Sequence, residues 1–96
     1  MAEKAFYLLV YDISDDRRRT RLHDRLLDFG SPVQYSVFEC LLDSKQLVKL
    51  HKMIRRTIRD KDDHVRLYPL CAACLKKIWV SGAGAEVAHE TTSMVV

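Results

Sequence analysis

An unbroken apolar segment near the start of the chain ends on an acidic residue. All residues from Phe6 to Val10 are apolar, and Tyr11 and Asp12 follow them. A strand with this pattern is covered on both faces, because a strand with one wet face alternates apolar and polar residues. We therefore predict a first strand over about Ala5–Ile13, with Asp12 at its carboxyl end.

Two helices are predicted from apolar residues that recur at helical spacing. The first covers about Asp16–Phe29, after a cap at Ser14 or Asp15, and Gly30 is expected to end it in a left-handed conformation. The second covers about Lys45–Arg59, with its apolar residues on one face. Its opposite face carries a row of basic residues: Lys45, Lys49, Lys52, Arg56 and Arg59.

The other apolar segments predict strands. Val33–Leu42 is long for a single strand, so we expect a division near Ser36 and Val37. His64–Leu70 alternates as a strand, and Lys77–Val80 is predicted to be a short last strand. The resulting order predicts an α+β fold with the ferredoxin-like split βαβ arrangement, βαββαβ plus a short C-terminal strand.

The first strand also carries a prediction about assembly. Both of its faces are apolar, and two helices on one side of a small sheet leave the other side uncovered. A second copy of the chain is the simplest cover, so we expect a homodimer that packs through the sheet. The domain is predicted to span residues 1–82, and residues 83–96 are interpreted as a flexible tail or a partner-docking segment.

Composition is typical of a soluble globular protein, with 48% hydrophobic and 30% charged residues. No apolar segment approaches the roughly 20 residues of a membrane span, and we expect neither a signal peptide nor a membrane partner, hence a cytoplasmic location. The three cysteines argue against a disulfide framework. Cys71 and Cys74 have the spacing of a zinc or redox pair, but zinc needs four ligands, so a reduced turn is favoured over two pairs pooled in a dimer.

The net charge of +3 is unevenly distributed. Residues 45–66 carry eight basic and three acidic side chains. An acidic polymer such as nucleic acid suits that excess, and the alternative is a solvated helix face. If nucleic acid binds, we expect Lys49, Lys52 and Arg56 to follow its backbone without sequence preference.

Asp12 is the candidate centre of a metal site. A carboxylate at the end of a buried strand is costly unless a cation or hydrogen bonds compensate it. Oxygen ligands suit Mg²⁺ or Mn²⁺, and in a two-fold dimer Asp12 of each chain would flank one ion that polarises a phosphoryl oxygen and activates water. The alternative is a structural carboxylate held by backbone N–H groups.

Four arginines, at positions 17, 18, 19 and 21, follow Asp12 and are candidate phosphate contacts. By helical position Arg17 and Arg21 face solvent, whereas Arg19 lies on the buried side and is expected to reach Asp12 or a phosphate. Arg18 is assigned to phosphate contact with them. Tyr35 is interpreted as a core or interface residue rather than a base-stacking one, and none of the four histidines stands out as a general base.

These residues are similar to those of a known family, the CRISPR-associated endonucleases formed by the small second Cas protein of the adaptation machinery. The resemblance covers about residues 6–80. It rests on segments that follow the family's order: Tyr11-Asp12-Ile13, Arg17-Arg18-Arg19 with Leu22 and Leu26, Gly30, Val33-Gln34, Ser36-Val37-Phe38-Glu39-Cys40, and residues 63–71 from Asp63 to Cys71.

The resemblance implies a homodimeric ferredoxin-like fold and a metal-dependent phosphodiesterase activity on RNA or double-stranded DNA. It also implies partnership with the Cas-one integrase in spacer acquisition. The family's metal-binding aspartate is Asp12 here, and Tyr11, the arginines, Ser36 and Phe38 are the other implicated positions. Many relatives carry arginine where this chain has Pro32, so a phosphate contact made there is absent or supplied by another residue.

Our leading hypothesis is a slow Mg²⁺-dependent endonuclease that uses Asp12 and Tyr11. The first alternative is a non-catalytic dimeric scaffold that binds duplex DNA and bridges integrase subunits. The second is a toxin-like ribonuclease of related fold that works without an integrase.

Overall fold

Seven short elements build the part of the chain that the structure, a computed structural model, describes: residues 3–82. In chain order they are β1 (Ala5–Asp12), α1 (Asp16–Leu26), β2 (Gly30–Gln34), β3 (Val37–Leu42), α2 (Ser44–Thr57), β4 (His64–Leu70) and α3 (Ala72–Leu75). The four strands form one antiparallel sheet in the order β2-β3-β1-β4. The predicted α+β fold with ferredoxin-like order is confirmed, including the division of the long apolar segment into β2 and β3.

Strand β1 lies inside the sheet, between β3 and β4, and its register defines two faces. Residues paired across strands share a face, and neighbours along a strand alternate between faces. Leu9 pairs with Phe38 and with Leu67, on the side that we call the helix face. Leu8 pairs with Tyr68 on the other side, which we call the open face.

The core forms between the helix face and helices α1 and α2. Leu22 and Leu26 of α1 and Leu50 of α2 are fully buried, as the helical spacing predicts. They pack in one cluster with six residues from the sheet and its edge: Leu9, Tyr11, Ile13, Phe38, Cys40 and Leu42. Each buried side chain of this size stabilises the fold by about 1.5–3 kcal/mol relative to exposure.

The open face carries apolar side chains that are not part of the core cluster beneath α1 and α2. Half-buried residues on this face are Leu8, Val10, Val37, Leu41 and Leu70. Tyr68 is 45% exposed on the same face, whereas Phe6, near the start of β1, is buried. The expected second copy of the chain therefore has an apolar surface to cover, and the homodimer stays a prediction.

Gly30 does not have the role that its position after α1 predicted. Among residues 3–82 the only glycine with a positive φ is Gly82, and Gly30 instead begins β2. A Cβ on Gly30 would overlap the carbonyl oxygen of Glu39 and lie 2.7 Å from the Cys40 sulfur. The prediction of a left-handed cap was therefore wrong, and a glycine is needed because β2 and β3 approach closely there.

The predicted final strand Lys77–Val80 is also wrong. The chain turns into α3 after β4, and residues 76–80 contain no strand. The N–H of Lys77 donates to Cys74 O and that of Ile78 to Leu75 O, so these groups continue the turn of α3 and do not pair with a strand. Cys71, at the start of α3, is an exposed free thiol. The tail interpreted from residues 83–96 lies outside the described residues.

A buried ion pair joins the start of α1 to the start of β4. Arg18 donates from Nε to Asp63 Oδ2 at 2.8 Å and from Nη2 to Asp63 Oδ1 at 3.1 Å. The N–H of Arg59 donates to the same carboxylate at 2.9 Å, and no part of the Asp63 side chain is exposed. The hydrogen bond from Arg18, with that from Arg59, lowers the pKa of Asp63 below its ordinary value of 3.8.

This pair gives a stability prediction. Replacing Asp63→Ala leaves the Arg59 N–H and the Arg18 guanidinium without their acceptor, so the free energy of unfolding, measured in urea, should fall by about 1–3 kcal/mol. Because the folded pKa lies below the unfolded one, the stabilisation is fully present above about pH 4 and is lost as the pH falls through the folded pKa. The wild type and the variant should therefore converge in strong acid.

The neighbouring Asp62 is a matched control. Its side chain is half exposed and lies 3.7 Å from Arg59. Exposed ion pairs contribute less than about 1 kcal/mol, so Asp62→Ala should change stability little. Equal effects of the two substitutions would contradict the assigned role of Asp63.

Candidate metal and nucleic-acid site

The two residues predicted to be catalytic lie on opposite faces of the sheet. Tyr11 is 4% exposed on the helix face, with its ring centroid 6.4 Å from that of Phe38. Asp12 is exposed on the open face, where its partner across the sheet is His64 of β4. The expectation of a costly carboxylate at a buried strand end was therefore wrong for the single chain, because Asp12 lies on the open face and not on the face that α1 and α2 cover.

Asp12 alone offers a metal few ligands. Within residues 3–82 no three His, Cys, Asp or Glu side chains come together in a group that could hold an ion. His64, which the sequence analysis set aside, is the nearest donor by register, since paired residues have Cβ atoms about 4.5–5.5 Å apart. Mg²⁺ is often held by one or two carboxylates and several waters, so Asp12 fits it best together with a second chain.

Arg19 reaches the end of β1 but contacts the backbone there. Its Nη1 donates to Ile13 O at 2.9 Å, and its Nη2 pairs with the Asp16 carboxylate. The pKa of the Arg19 guanidinium is raised, first by the hydrogen bond with Asp16 and further by Tyr35. The buried-side position predicted for Arg19 is thus observed, and the residue that it brings close is Tyr35.

A cleft of about 480 Å³ opens beside Arg19, between α1 and the turn from β2 to β3. Its lining combines apolar and polar surface and includes the four hydroxyl groups of Tyr11, Thr20, Tyr35 and Ser36. The other lining residues are Arg19, His23, Pro32, Val33 and Gln34. Burial raises the pKa of the Tyr11 phenol above its ordinary value, so at neutral pH this group is a neutral hydrogen-bonding hydroxyl. Asp12 is not part of the cleft.

Two of the residues predicted to contact nucleic acid have structural roles in the fold. Phe38 is fully buried in the core, where the edge of the His23 ring meets it at 5.3 Å between centroids. The Arg18 guanidinium is held by Asp63. Any effect of either residue on nucleic acid would therefore pass through packing, whereas Ser36 lines the cleft.

The other two arginines of the cluster, Arg17 and Arg21, are exposed on α1, as their helical positions predict. They line a shallow surface together with Asp16 and Asp24. Because acidic and basic side chains alternate there, this surface carries less net positive charge than the predicted basic row on α2.

Three residues of the predicted basic row form one wall of a groove, and α1 supplies a residue to it that sequence reasoning missed. Arg59 of that row lies beyond the end of α2 at Thr57. Lys49, Lys52 and Arg56 line this groove of about 450 Å³ together with Met53 and Arg25, and no acidic residue lines it. Arg25 donates to Thr57 Oγ1 at 2.7 Å, which holds it against α2. The signal for Arg25 in the sequence is its position four residues after Arg21, which places both arginines on one face of α1. We call these four cations the basic groove.

No helix among residues 3–82 is long and apolar enough to cross a membrane.

Residues 5–78 match the family described as CRISPR associated protein Cas2. The chain is 41% identical over 76 residues to CRISPR-associated endoribonuclease Cas2 3 of Synechocystis, covering 79% of this chain and 83% of that protein. It is 43% identical over 67 residues to CRISPR-associated endonuclease Cas2 2 of Thermus thermophilus, covering 70% of this chain and 74% of that protein.

Solved structures agree. A hypothetical protein from Thermus thermophilus superposes with a TM-score of 0.76 at 39% identity, over 85% of this chain and 95% of that one. Cas2 of Streptococcus pyogenes superposes with a TM-score of 0.71 at 26% identity, over 80% of this chain and 99% of that one. A chain of a partial Cas6-RT-Cas1–Cas2 complex superposes with a TM-score of 0.61 at 29% identity, over 79% of this chain and 89% of that one. The match across most of the chain shows that this protein belongs to the Cas2 family.

Proposed function

We propose that this protein is a metal-dependent endonuclease that hydrolyses phosphodiester bonds of RNA or double-stranded DNA and works with the Cas1 integrase in spacer acquisition. The observation that carries the proposal is the position of Asp12, an exposed carboxylate at the end of the central strand and at the edge of an apolar face. Relatives named endoribonuclease or endonuclease support the activity, and the complex that contains Cas1 and Cas2 supports the partnership.

The proposed active unit is a homodimer through the open face. The apolar side chains of the open face are half-buried in the single chain. Each further methylene that a second chain buries would stabilise the dimer by about 0.8 kcal/mol. A two-fold axis near the carboxyl end of β1 would bring two Asp12 carboxylates, each with its His64 partner, to one place. The dimer would then supply the donors that a single chain lacks.

In that dimer each residue group has a separate task. The two Asp12 carboxylates hold Mg²⁺ or Mn²⁺. When bound, the ion supplies Lewis acidity toward the phosphoryl oxygen and lowers the pKa of a water. The exposed Arg17 and Arg21 contact phosphates near the strand end, and the basic groove holds the backbone further away.

The basic groove also supports the scaffold alternative. Four cations without an acidic neighbour in the groove bind a phosphate backbone whether or not the chain cuts it. A dimer with two such grooves would hold duplex DNA in the integrase complex, and this role is compatible with nuclease activity.

Replacing Asp12→Ala should abolish the metal-dependent activity. Cleavage of labelled RNA and duplex DNA with Mg²⁺ or Mn²⁺ should fall by about 100-fold or more, because the ion contributes several kcal/mol of transition-state stabilisation. A chelator should have the same effect on the wild type. Asp12 is exposed, so the variant should unfold at the same urea concentration as the wild type.

Asp60→Ala is the matched control, since Asp60 is another exposed acidic residue but lies in the turn after α2. It should retain full activity. Cleavage that persists in chelator, or that survives in Asp12→Ala, would rule out the metal site. If neither substrate is cut by the wild type while spacer acquisition in cells requires the protein, the scaffold function holds instead.

Charge reversal in the basic groove should weaken duplex binding. With Lys49, Lys52 and Arg56 all replaced by Glu, the slope of log affinity against log salt, measured by fluorescence anisotropy, should become shallower by roughly 0.9 for each lost phosphate contact. The matched control reverses Lys61, Lys76 and Lys77, which are exposed outside the groove and change the net charge equally. The same loss in both triple variants would show that only net charge matters.

A further inference from the structure

Tyr35 lies at the cleft beside Arg19 with most of its ring in solvent. It is 82% exposed, more than any other large hydrophobic residue in the described chain. The sequence predicted a core or interface residue, and this exposure excludes the core position. A large aromatic surface left in water contributes little to folding, so its placement needs another explanation.

The position of Tyr35 is defined by its turn. Tyr35 and Ser36 join β2 to β3, and Ser36 has a φ of 69°, which is uncommon for a residue other than glycine. The N–H of Tyr11 donates to Ser36 O at 3.1 Å. This bond attaches the turn to the end of β1, so the exposed ring belongs to an ordered turn next to the cleft.

The cleft beneath Tyr35 combines one cation with several hydrogen-bonding groups. Tyr35 and Arg19 line the cleft together, and Tyr35 contributes to the raised pKa of the Arg19 guanidinium. Tyr11, Thr20 and Ser36 add hydroxyl groups to the lining. The volume of about 480 Å³ lies within the range of roughly 300–1,000 Å³ that is usual for small-ligand sites.

We propose that this cleft binds one unpaired nucleotide of a single-stranded nucleic acid, with its base stacked on Tyr35 and its phosphate held by Arg19. Arg19 Nη1 stays bonded to Ile13 O, whereas the Asp16 carboxylate on Nη2 is 87% exposed, so a phosphate can take the place of Asp16 there. An exposed aromatic ring is a stacking surface for any base. Both faces of a base inside a duplex are already covered by its neighbours, so only an unpaired base can use Tyr35.

This inference rests on the proposed action on nucleic acid and adds the form of the substrate. The site is separate from the metal site, because Asp12 lies on the opposite face of the sheet. The basic groove contacts the backbone of a paired or an unpaired strand, whereas the cleft selects an unpaired one. Stacking depends on the base face alone, so RNA and DNA strands should both bind.

The test is a binding measurement on the full chain in the presence of a chelator, which prevents metal-dependent cleavage. Fluorescein-labelled single-stranded RNA, single-stranded DNA of the same sequence, the DNA duplex and an abasic strand are titrated with wild type and Tyr35→Ala. The variant should lose about fivefold or more in affinity for both single strands, the lower limit for one base–aromatic stack. Its affinity for the duplex and the abasic strand should not change.

Two variants serve as controls. Tyr35→Phe keeps the ring and should keep the affinity for single strands. Trp79→Ala removes another aromatic residue that is 81% exposed but lies outside the cleft, and it should bind as the wild type does. Unchanged single-strand binding by Tyr35→Ala, or an equal loss on the duplex and the abasic strand, would overturn the proposal.

The outcomes separate this inference from the proposed function. Asp12→Ala should bind single strands normally in chelator, because no metal takes part. If Asp12→Ala loses cleavage while Tyr35→Ala binds normally, the endonuclease stands and the stacking site fails. If Tyr35→Ala loses single-strand binding while Asp12→Ala still cuts, the stacking site stands and the metal site fails.

Discussion

The alternation of side chains along β1 is the constraint on which the rest of the structure depends. This strand pairs on both edges, so each successive side chain must belong to one of two surfaces. Leu9 and Tyr11 enter the core beneath the helices, whereas Leu8 and Val10 remain on the open face. The same alternation separates the Tyr11 phenol from the Asp12 carboxylate, so the protein presents a cleft on the helix face and the Asp12 carboxylate on the open face.

Local patterns were sufficient to predict most of the fold. Apolar spacing located α1, α2 and their buried residues, and β-branched and aromatic residues located the strands. Contacts between distant segments were not predictable in this way. Arg18 resembled its neighbouring arginines, and only the approach of Asp63, 45 positions away, makes it structural. Gly30 likewise has its role because β3 passes close to it.

The candidate site was predicted in part, for the same physical reason. The importance of Asp12 followed from a strand end and a family resemblance, but its exposure follows from its place on the open face of the sheet. The basic row of α2 was visible in sequence, whereas Arg25 joins it only because α1 packs alongside. Tyr35 was predicted to be a core or interface residue, but it lies exposed in the turn that contains the left-handed Ser36. Sequence patterns thus identify which residues share a face of a helix or strand, and the packing of distant segments decides which of these faces contact each other.

The central claim is that two copies of the chain complete one metal site through Asp12. Native mass spectrometry of the protein with Mn²⁺ tests it most directly, because it counts chains and ions in the same particle. We predict a dimer that holds one Mn²⁺ for every two chains, and a dimer of Asp12→Ala that holds none. A monomer, or a dimer whose Mn²⁺ content is unchanged in Asp12→Ala, would contradict the account.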